Sequence, residues 1–594
     1  MDYLSLLLAP SSMNSSLARS WAALQSAVDG RLYQSIPFAQ PCYQDFSSPE
    51  CLAVRSAYLD EVTRTSTPTA FIQSQWETCQ ATNEHCLLDW KDPHNEQPTR
   101  SQCKMGSLPQ YYIDVHTPRD VTAAFDFSRN TGIPLTIRNT GSYLDSLVSP
   151  SPSLSKHDYK GRSSAPGSLG VWPAGDILQS RVHPEGCSAE TTSYAAVTMG
   201  AGVRWNEAHQ FADKHNITLV GGSDKSVGAV GGWLQGGGHS ALSNTMGLGA
   251  DRVLQFKLVT PDGHARIANA CQNPNLFWAL RGGGAGTFGV VLEATVLASP
   301  AVALRTVILS WGSPDVNVSV VRTREAWRRF VDVSVRLAGE GWGGYVTKDV
   351  MVLVNPRPDL SPSRDGEGGS VVKELVDWVR RVKEQDGENG GRVVVVEKVF
   401  ESWLAFFEVF TSRFVASVGK NLALASRLVP RQAFEKAESR SALVDALMDA
   451  NTITTTPGLI ILFTAPASTP DGALIPAMAR SPSKVPFVVQ EELPVAADES
   501  YERTTSVHPA WRESLYHVTV IEPWAWNATP EDMKGAYRKV RESLGPLKEL
   551  LSSLTNSELK KGAAYVNEAD VYEDDFEDTF WGDNYPRLLG IKRK

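Results

Sequence analysis

The chain has 594 residues, of which 42% are apolar and 21% charged, and a formal net charge of −9. That length exceeds a single domain and is enough to bury a sizeable core. The acidic balance argues against a nucleic-acid or anionic-membrane surface, and with no run of about 18 apolar residues no membrane span is expected.

At the N-terminus, Tyr3-Leu-Ser-Leu-Leu-Leu-Ala9 has the apolarity of a short signal-peptide core but lacks a basic flank, so a frayed terminus is the alternative. Leu17, Trp21, Leu24 and Val28 recur at helical spacing and predict a helix over 16–28. The rest of the segment to residue 105 is turn-rich. Five of the seven cysteines lie between Cys42 and Cys103. No C-x-x-C pair occurs, so zinc is not expected and metal is predicted absent; disulfides are, with Cys42–Cys51 and Cys79–Cys103 as the proposed pairs and Cys86 left over. With the N-x-[ST] sequons at Asn14, Asn216, Asn317 and Asn527, the cluster favours a secretory origin and glycosylation.

Order sharpens at Tyr111–Val115, a short strand. Thr117 caps a helix with Pro118 at its first position and Asp120 in its first turn, and Gly132 ends it. Ile133–Ile137 is the next strand of this β-α-β unit, and it delivers the chain into Arg138-Asn-Thr-Gly141. A strand end feeding a glycine turn is where α/β proteins place ligands. Residues 142–156 interrupt the turn, which resumes at His157-Asp-Tyr-Lys-Gly-Arg-Ser-Ser164. Strands are predicted at 195–199, 217–220, 252–260 and 290–297, and helices at 205–214 and 274–280, with a hairpin at Pro261-Asp-Gly263. Between them, Gly228–Ser240 packs six glycines among Val, Trp, Leu and His. Interleaved apolar residues argue against a flexible linker and for backbone wrapped on a cofactor. Gly284-Ala-Gly-Thr-Phe-Gly289 matches G-x-G-x-x-G but follows a helix and opens a strand, the reverse of the nicotinamide fingerprint, which is therefore rejected. Beyond Pro300 longer helices and β-branched strands take over, including a helix marked by Val372, Leu375, Val376, Val379 and Val382 and a strand at 392–400. No internal repeat is present.

Five ordered motifs are Asn139-Thr-Gly141 with His157–Ser164, Gly228–Ser240, Trp278–Val290, Tyr565-Val-Asn-Glu568 and Gly582-x-Asn-Tyr585. Together they resemble the FAD-linked oxidases of the berberine-bridge-enzyme-like group, with a vanillyl-alcohol-oxidase-type (PCMH-type) flavin domain; the fungal branch is the most similar. The resemblance implies an α+β, two-domain flavoprotein enzyme. A Cys-rich segment (1–105) would precede a PCMH-type FAD-binding domain (106–300). An α/β substrate domain with an antiparallel sheet (301–540) and a berberine-bridge-like segment (541–594) returning to the flavin would follow. It implies FAD bonded covalently through His157, and no second cysteinyl link, because Asp224 stands at the matching position. The residues implied to bind FAD are Arg138, Asn139, Thr140, Gly141, Asp158, Tyr159, Gly161, Arg162, Ser163, Val227, Gly228, Gly231, Gly232, Gly236, Gly237, Gly238, His239, Ser240, Gly286, Gly289, Val290, Asn584 and Tyr585. Backbone N–H groups of the glycine stretch would hold the cofactor. Glu568 stands where several relatives carry a tyrosine base; it could accept a proton if burial raised its pKa. Tyr565 is an equal candidate, and the second domain has room for another. The implied reaction is hydride transfer from a small organic substrate (an alcohol, a sugar or a secondary metabolite) to flavin, with molecular oxygen as reoxidant. A dehydrogenase with another acceptor is the alternative, as is an inactive chain unable to hold FAD. The last reading rests on two departures. Residues 142–156 split a motif continuous in the family, as a gene-model artefact or a surface loop. Relatives also continue beyond Gly590-Ile-Lys-Arg-Lys594 with a tail that packs on the flavin domain. The sequence leaves the oligomeric state open.

Overall fold

The computed structural model describes residues 15–139, 147–148, 164–173, 176–188, 193–356, 371–386, 392–411, 418–453, 459–463, 505–554 and 562–594. Ser15–Ala27 is helical, as the spacing predicts. Trp21 of this helix is buried against Phe127 of the helix Pro118–Thr131, with ring centroids 4.3 Å apart. The latter helix begins and ends as its sequence dictates. The Asp120 carboxylate accepts the backbone N–H groups of His116 and Thr117, and Gly132 closes the helix at φ 75°.

The first sheet contains β1 (Leu32–Gln34), β2 (Tyr111–Val115), β3 (Leu135–Ile137), β4 (Leu147–Val148) and β5 (Leu169–Pro173), in the order β1-β2-β5-β3-β4. The predicted β-α-β unit is present, but β2 and β3 are not neighbours: β5 lies between them, parallel to both. Leu169 and Val171 are fully buried there, which suits a central strand. The second sheet is antiparallel, in the order β10-β9-β11-β7-β6. Its strands are β6 (Ile177–Val182), β7 (Tyr194–Gly200), β9 (Val253–Val259), β10 (Ala265–Asn269) and β11 (Val290–Leu297), while β8 (Ile217–Thr218) pairs with β12 (Ser299–Pro300). The predicted hairpin joins β9 to β10, with Gly263 at φ 84°.

A seven-stranded antiparallel sheet follows: β13 (Leu304–Trp311), β14 (Gly343–Val346), β15 (Val350–Asn355), β16 (Val393–Phe400), β17 (Asn421–Pro430), β18 (Leu459–Phe463) and β19 (Ser514–Trp524), ordered β16-β13-β15-β14-β18-β19-β17. Strand alternation gives it two different faces. Val307, Leu309, Leu353, Ile461 and Val518 share a core with the helices Val316–Glu340, Val372–Asp386, Ala437–Ile453 and Pro530–Ser543. Tyr345, Val352, Leu428 and Leu462 point the other way, into a core shared with Trp233, Leu234 and Phe256 of the flanking glycine-rich and β9 segments. The large sheet therefore closes over the glycine-rich stretch.

The cysteine pairing differs from expectation. Cys42–Cys51 forms, but Cys103 pairs with Cys86, and Cys79 is free. The backbone explains the switch. Cys79 is held in a turn against Glu84, whereas the Lys104 N–H donates to the His85 carbonyl and sets Cys86 beside Cys103. Cys187–Cys271 is a third bridge that the sequence reading did not propose.

Candidate functional site

In the register of the large sheet, Tyr345 pairs with Leu462, Leu462 with His517, and His517 with Leu428. Thr519 is two residues beyond His517 and so shares its face. The short turn Val566–Glu568 brings Glu568 onto this face. His239 Nε2 lies 3.0 Å from Glu568 Oε1, the Thr519 hydroxyl donates to Glu568 Oε2 at 2.5 Å, and His517 Nε2 is 3.8 Å from the same oxygen. Donation from His239 requires the Nε2–H tautomer. Aromatic rings enclose the group: Tyr565 lies edge-on to His517 at 5.5 Å and to Trp511 at 5.4 Å. His517 is 1% exposed, and neither of its ring nitrogens has a hydrogen-bond partner among the described residues. The ligand atoms of His239, His517 and Glu568 lie within 4.8 Å of one another. Both Glu568 oxygens already accept protein donors, which fixes the carboxylate in place.

The electrostatics divide the roles. Burial alone would raise the Glu568 carboxyl, but the charge that His517 carries once protonated at acid pH, the hydrogen bond and charge of His239 and the Thr519 hydroxyl outweigh it and hold the group at about 2. The condition on which Glu568 would serve as a base, a raised pKa, is therefore not met. Burial likewise pushes the Tyr565 hydroxyl up; its bonds from Asn567 and the Gly238 N–H oppose this without reversing it, so the phenol keeps its proton. The His517 imidazole is pushed down to about 3 by burial, with Glu568 opposing and His239 adding, and is neutral at neutral pH. Sequence reading named Glu568, Tyr565 and His239 but missed His517 and Thr519. The available signal was polar residues two apart inside an otherwise apolar strand.

The glycine-rich stretch behaves differently from expectation. Gly232–Gln235 forms a helical turn, and the N–H groups of Gly236, Gly237, Gly238 and Ser240 go to Gly232 O, Leu234 O, the Tyr565 hydroxyl and the Ser243 hydroxyl. They are donors spent within the protein, because the turn closes on itself. The missing side chains make room for protein neighbours: a Cβ on Gly231 would lie 2.8 Å from the Asn139 side chain, and one on Gly236 would lie 2.3 Å from that of Asn567. Gly228 bridges to Arg204, and Val227 O accepts the Trp205 N–H.

Arg138, expected at the cofactor, turns its guanidinium onto the carbonyls of Pro68 and Ala70 and stacks on Phe71 at 4.2 Å. It anchors the preceding loop, since a buried guanidinium is most cheaply satisfied by nearby carbonyls. Asn139 donates to Ala201 O at 2.7 Å and lines a cavity of about 430 Å³ with Tyr33, Tyr112, Asp114, Trp172, Gly202 and Arg204. Thr140, Gly141, His157, Asp158, Tyr159, Gly161, Arg162 and Ser163 lie outside the described residues. Asn584 and Tyr585 lie in the docked C-terminal segment, whereas Gly289 and Val290 pack against β9, where Val290 pairs with Val259, and Gly286 lies in the turn ahead of β11 at φ 69°. A Cβ on Gly289 would meet Val259 O at 2.5 Å, and Val290 is fully buried. Trp581 Nε1 donates to Gly282 O, Asn584 donates to Val507 O, and Tyr585 packs 5.9 Å from Trp581.

Two observations fit FAD. The cavity beside Asn139 has aromatic walls on which a purine can stack. Gln235 Oε1, His239 Nδ1 and Trp205 Nε1 are buried without a partner among the described residues, polar atoms of the kind a flavin edge can satisfy.

Comparison with known proteins agrees. Residues 185–269 match the FAD binding domain family, and 564–594 match the berberine and berberine-like family. An FAD-linked oxidoreductase of Aspergillus flavipes is 33% identical over 99% of this chain and 92% of its own length. One of Chaetomium globosum is 32% identical over 97% and 84%. In fold, the chain is similar to a VAO-type flavoprotein from Myceliophthora thermophila C1, with a TM-score of 0.72 and 24% identity over 98% of this chain and 94% of that one. With a glycine-rich core under an antiparallel sheet, a C-terminal segment returning to it and relatives matching end to end, the chain belongs to the berberine-bridge-enzyme-like, VAO-type FAD-linked oxidoreductases.

Proposed function

We propose that the protein oxidises a small organic substrate by hydride transfer from carbon, with molecular oxygen as the final electron acceptor, and that one covalent bond through His157 holds the FAD. The carrying observation is the polar group Glu568–His239–His517–Thr519, with His517 and Thr519 buried and Glu568 and His239 half-buried, set where the large sheet meets the glycine-rich stretch. Bound FAD supplies the two-electron acceptor. The protein's own residues wall the group with the buried Trp511, Tyr565 and Tyr345 rings and present a fixed carboxylate beside a neutral imidazole. In support of a single link, the position at which relatives place a second flavin bond holds Asp224, whose carboxylate accepts the Ser226 N–H and hydroxyl. The division near residue 300 is supported by the strands, since all seven of the large sheet follow it.

Absorbance between about 300 and 500 nm, before and after acid precipitation, tests the cofactor reading. Yellow colour that stays with the precipitate, and is lost in His157→Ala, is the expected result; colourless soluble protein overturns it. Reoxidation of the reduced protein should be fast in air and absent under argon; equal reoxidation by an artificial acceptor alone would favour a dehydrogenase. Three disulfides and exposed sequon asparagines at 216, 317 and 527 support passage through a secretory pathway. A mobility shift on glycosidase treatment of protein from its native host checks this.

A further inference from the structure

We infer that His239, His517 and Glu568 form a binding site for a divalent first-row transition cation of the zinc type, held by the two Nε2 atoms and a carboxylate oxygen, with one coordination position left open. The inference goes beyond the flavin reading and stands without it.

Its basis is geometry. The three ligand atoms lie within 4.8 Å of one another. Around zinc, bonded at about 2.0–2.1 Å in a tetrahedron, neighbouring ligand atoms are about 3.3 Å apart. His239 Nε2 stands 3.0 Å and His517 Nε2 3.8 Å from the Glu568 carboxylate, so small rotations bring all three onto one centre. The 3.8 Å gap is too long for a hydrogen bond. His517 is buried, and neither of its nitrogens has a hydrogen-bond partner among the described residues. A buried imidazole left so costs free energy. A cation in the gap removes that cost by taking a lone pair from each side, whereas a plain His239–Glu568 hydrogen bond leaves His517 unexplained. Two nitrogen ligands and one oxygen favour zinc, cobalt or iron over calcium and magnesium, which take oxygen.

The surroundings fit a ligand set. The Thr519 hydroxyl donates to Glu568 Oε2 and so orients the carboxylate from outside. Side-chain exposures of 13% at His239 and 21% at Glu568 leave the group reachable from solvent. Binding moves the His239 proton from Nε2 to Nδ1, with no change of charge. Neither Nδ1 has an acceptor among the described residues, and such outer partners are worth about 10- to 100-fold in affinity. The dissociation constant is therefore expected on the order of 10 μM, weaker than that of a structural zinc site. The open position accepts water or an oxygen of a small molecule. The sequence gave no reason to expect metal because C-x-x-C spacing is local. These ligands come from the glycine-rich stretch, β19 and the C-terminal turn.

The experiment uses the untagged full-length protein, stripped by a chelator and dialysed against Zn²⁺, with Ca²⁺ as the control. One Zn²⁺ per chain is expected, and no Ca²⁺. X-ray absorption at the zinc edge should show two imidazoles and an oxygen at about 2.0–2.1 Å. In His517→Gln and in Glu568→Gln the affinity should fall at least about 10-fold. Melting curves establish that each variant is folded; if neither is, the zinc-edge spectrum of the wild type decides. Flavin absorbance is recorded alongside: a colourless protein that still binds Zn²⁺ this way would sink the flavin reading and uphold the cation site. No stoichiometric Zn²⁺, a zinc shell without imidazole nitrogen, or an unchanged affinity in folded His517→Gln would each overturn the inference.

Discussion

Two titratable side chains at the centre of the molecule differ in what they can do because their partners differ. Glu568 accepts two hydrogen bonds and stays an anion; His517, enclosed and without a hydrogen-bond partner among the described residues, stays neutral. The pair makes a stability prediction whose sign follows from linkage. An unfolded histidine binds its proton near pH 6.5, whereas folded His517 resists it down to about 3, so the unfolded state holds more protons in that window and stability falls as pH falls. Glu568, depressed from an ordinary value near 4.3 to about 2, adds a loss in the same direction at the acid end. Urea midpoints of the wild type should drop between pH 7 and 4.5 by more than those of His517→Gln; equal drops would refute the burial argument. At this scale the sequence displayed Glu568, Tyr565 and His239 through their motifs. It did not display His517, because a histidine in a strand advertises no partner until the sheet is paired.

Among the elements, the glycine-rich stretch was legible as a tight turn, but not as what it is tight against. Alternation of Gly with Val, Trp and Leu excluded a linker. Asn139 and Asn567 as the neighbours emerge only when the loop after β3 and the C-terminal turn are brought to it. In Gly236→Ala the new methyl must displace the Asn567 amide, which donates to both Gly232 O and the Tyr565 hydroxyl. The expected cost is about 1–3 kcal/mol by overpacking, read by urea denaturation, together with weakened flavin retention. Local rules carried the other elements well. The helix over 205–214, the strand over 290–297 and the capped helix from Pro118 were set by periodicity and end signals. The place of β5 between β2 and β3 was not, since strand order depends on which apolar strand wins the centre of a sheet.

For the whole molecule, the connection between the large sheet and the glycine-rich half includes a buried ion pair. Arg512 donates to both oxygens of Asp251, at 2.8 and 2.6 Å, with each residue less than 10% exposed. Burial opposes the Asp251 carboxylate, but Arg512 more than compensates and keeps it below its usual range. Asp251→Asn strands a buried guanidinium and should cost about 3–5 kcal/mol, whereas Asp251→Asn with Arg512→Met should recover much of it. A chemical-denaturation cycle measures both. The Cys187–Cys271 bridge closes a separation of 84 residues across the second sheet. Its removal in Cys187→Ser with Cys271→Ser should cost about 2–5 kcal/mol of stability and leave the other two bridges intact, as thiol counting and thermal melting would show.

Motif order along the chain and the periodicity of its segments determined the family, the cofactor class and the existence of most elements. These are carried by residues near one another in sequence, where spacing alone fixes which face or cap they occupy. Only the tertiary structure decided the cysteine partners, the order of strands and the composition of the polar group, because each is a contact between distant positions. His239 and Glu568 meet across 329 residues, and Thr519 and Glu568 across 49, through a sheet whose register no local pattern announces. The same distance in sequence hid the reversal at Glu568. A carboxyl that burial alone would raise is held down by donors that arrive from two other parts of the chain.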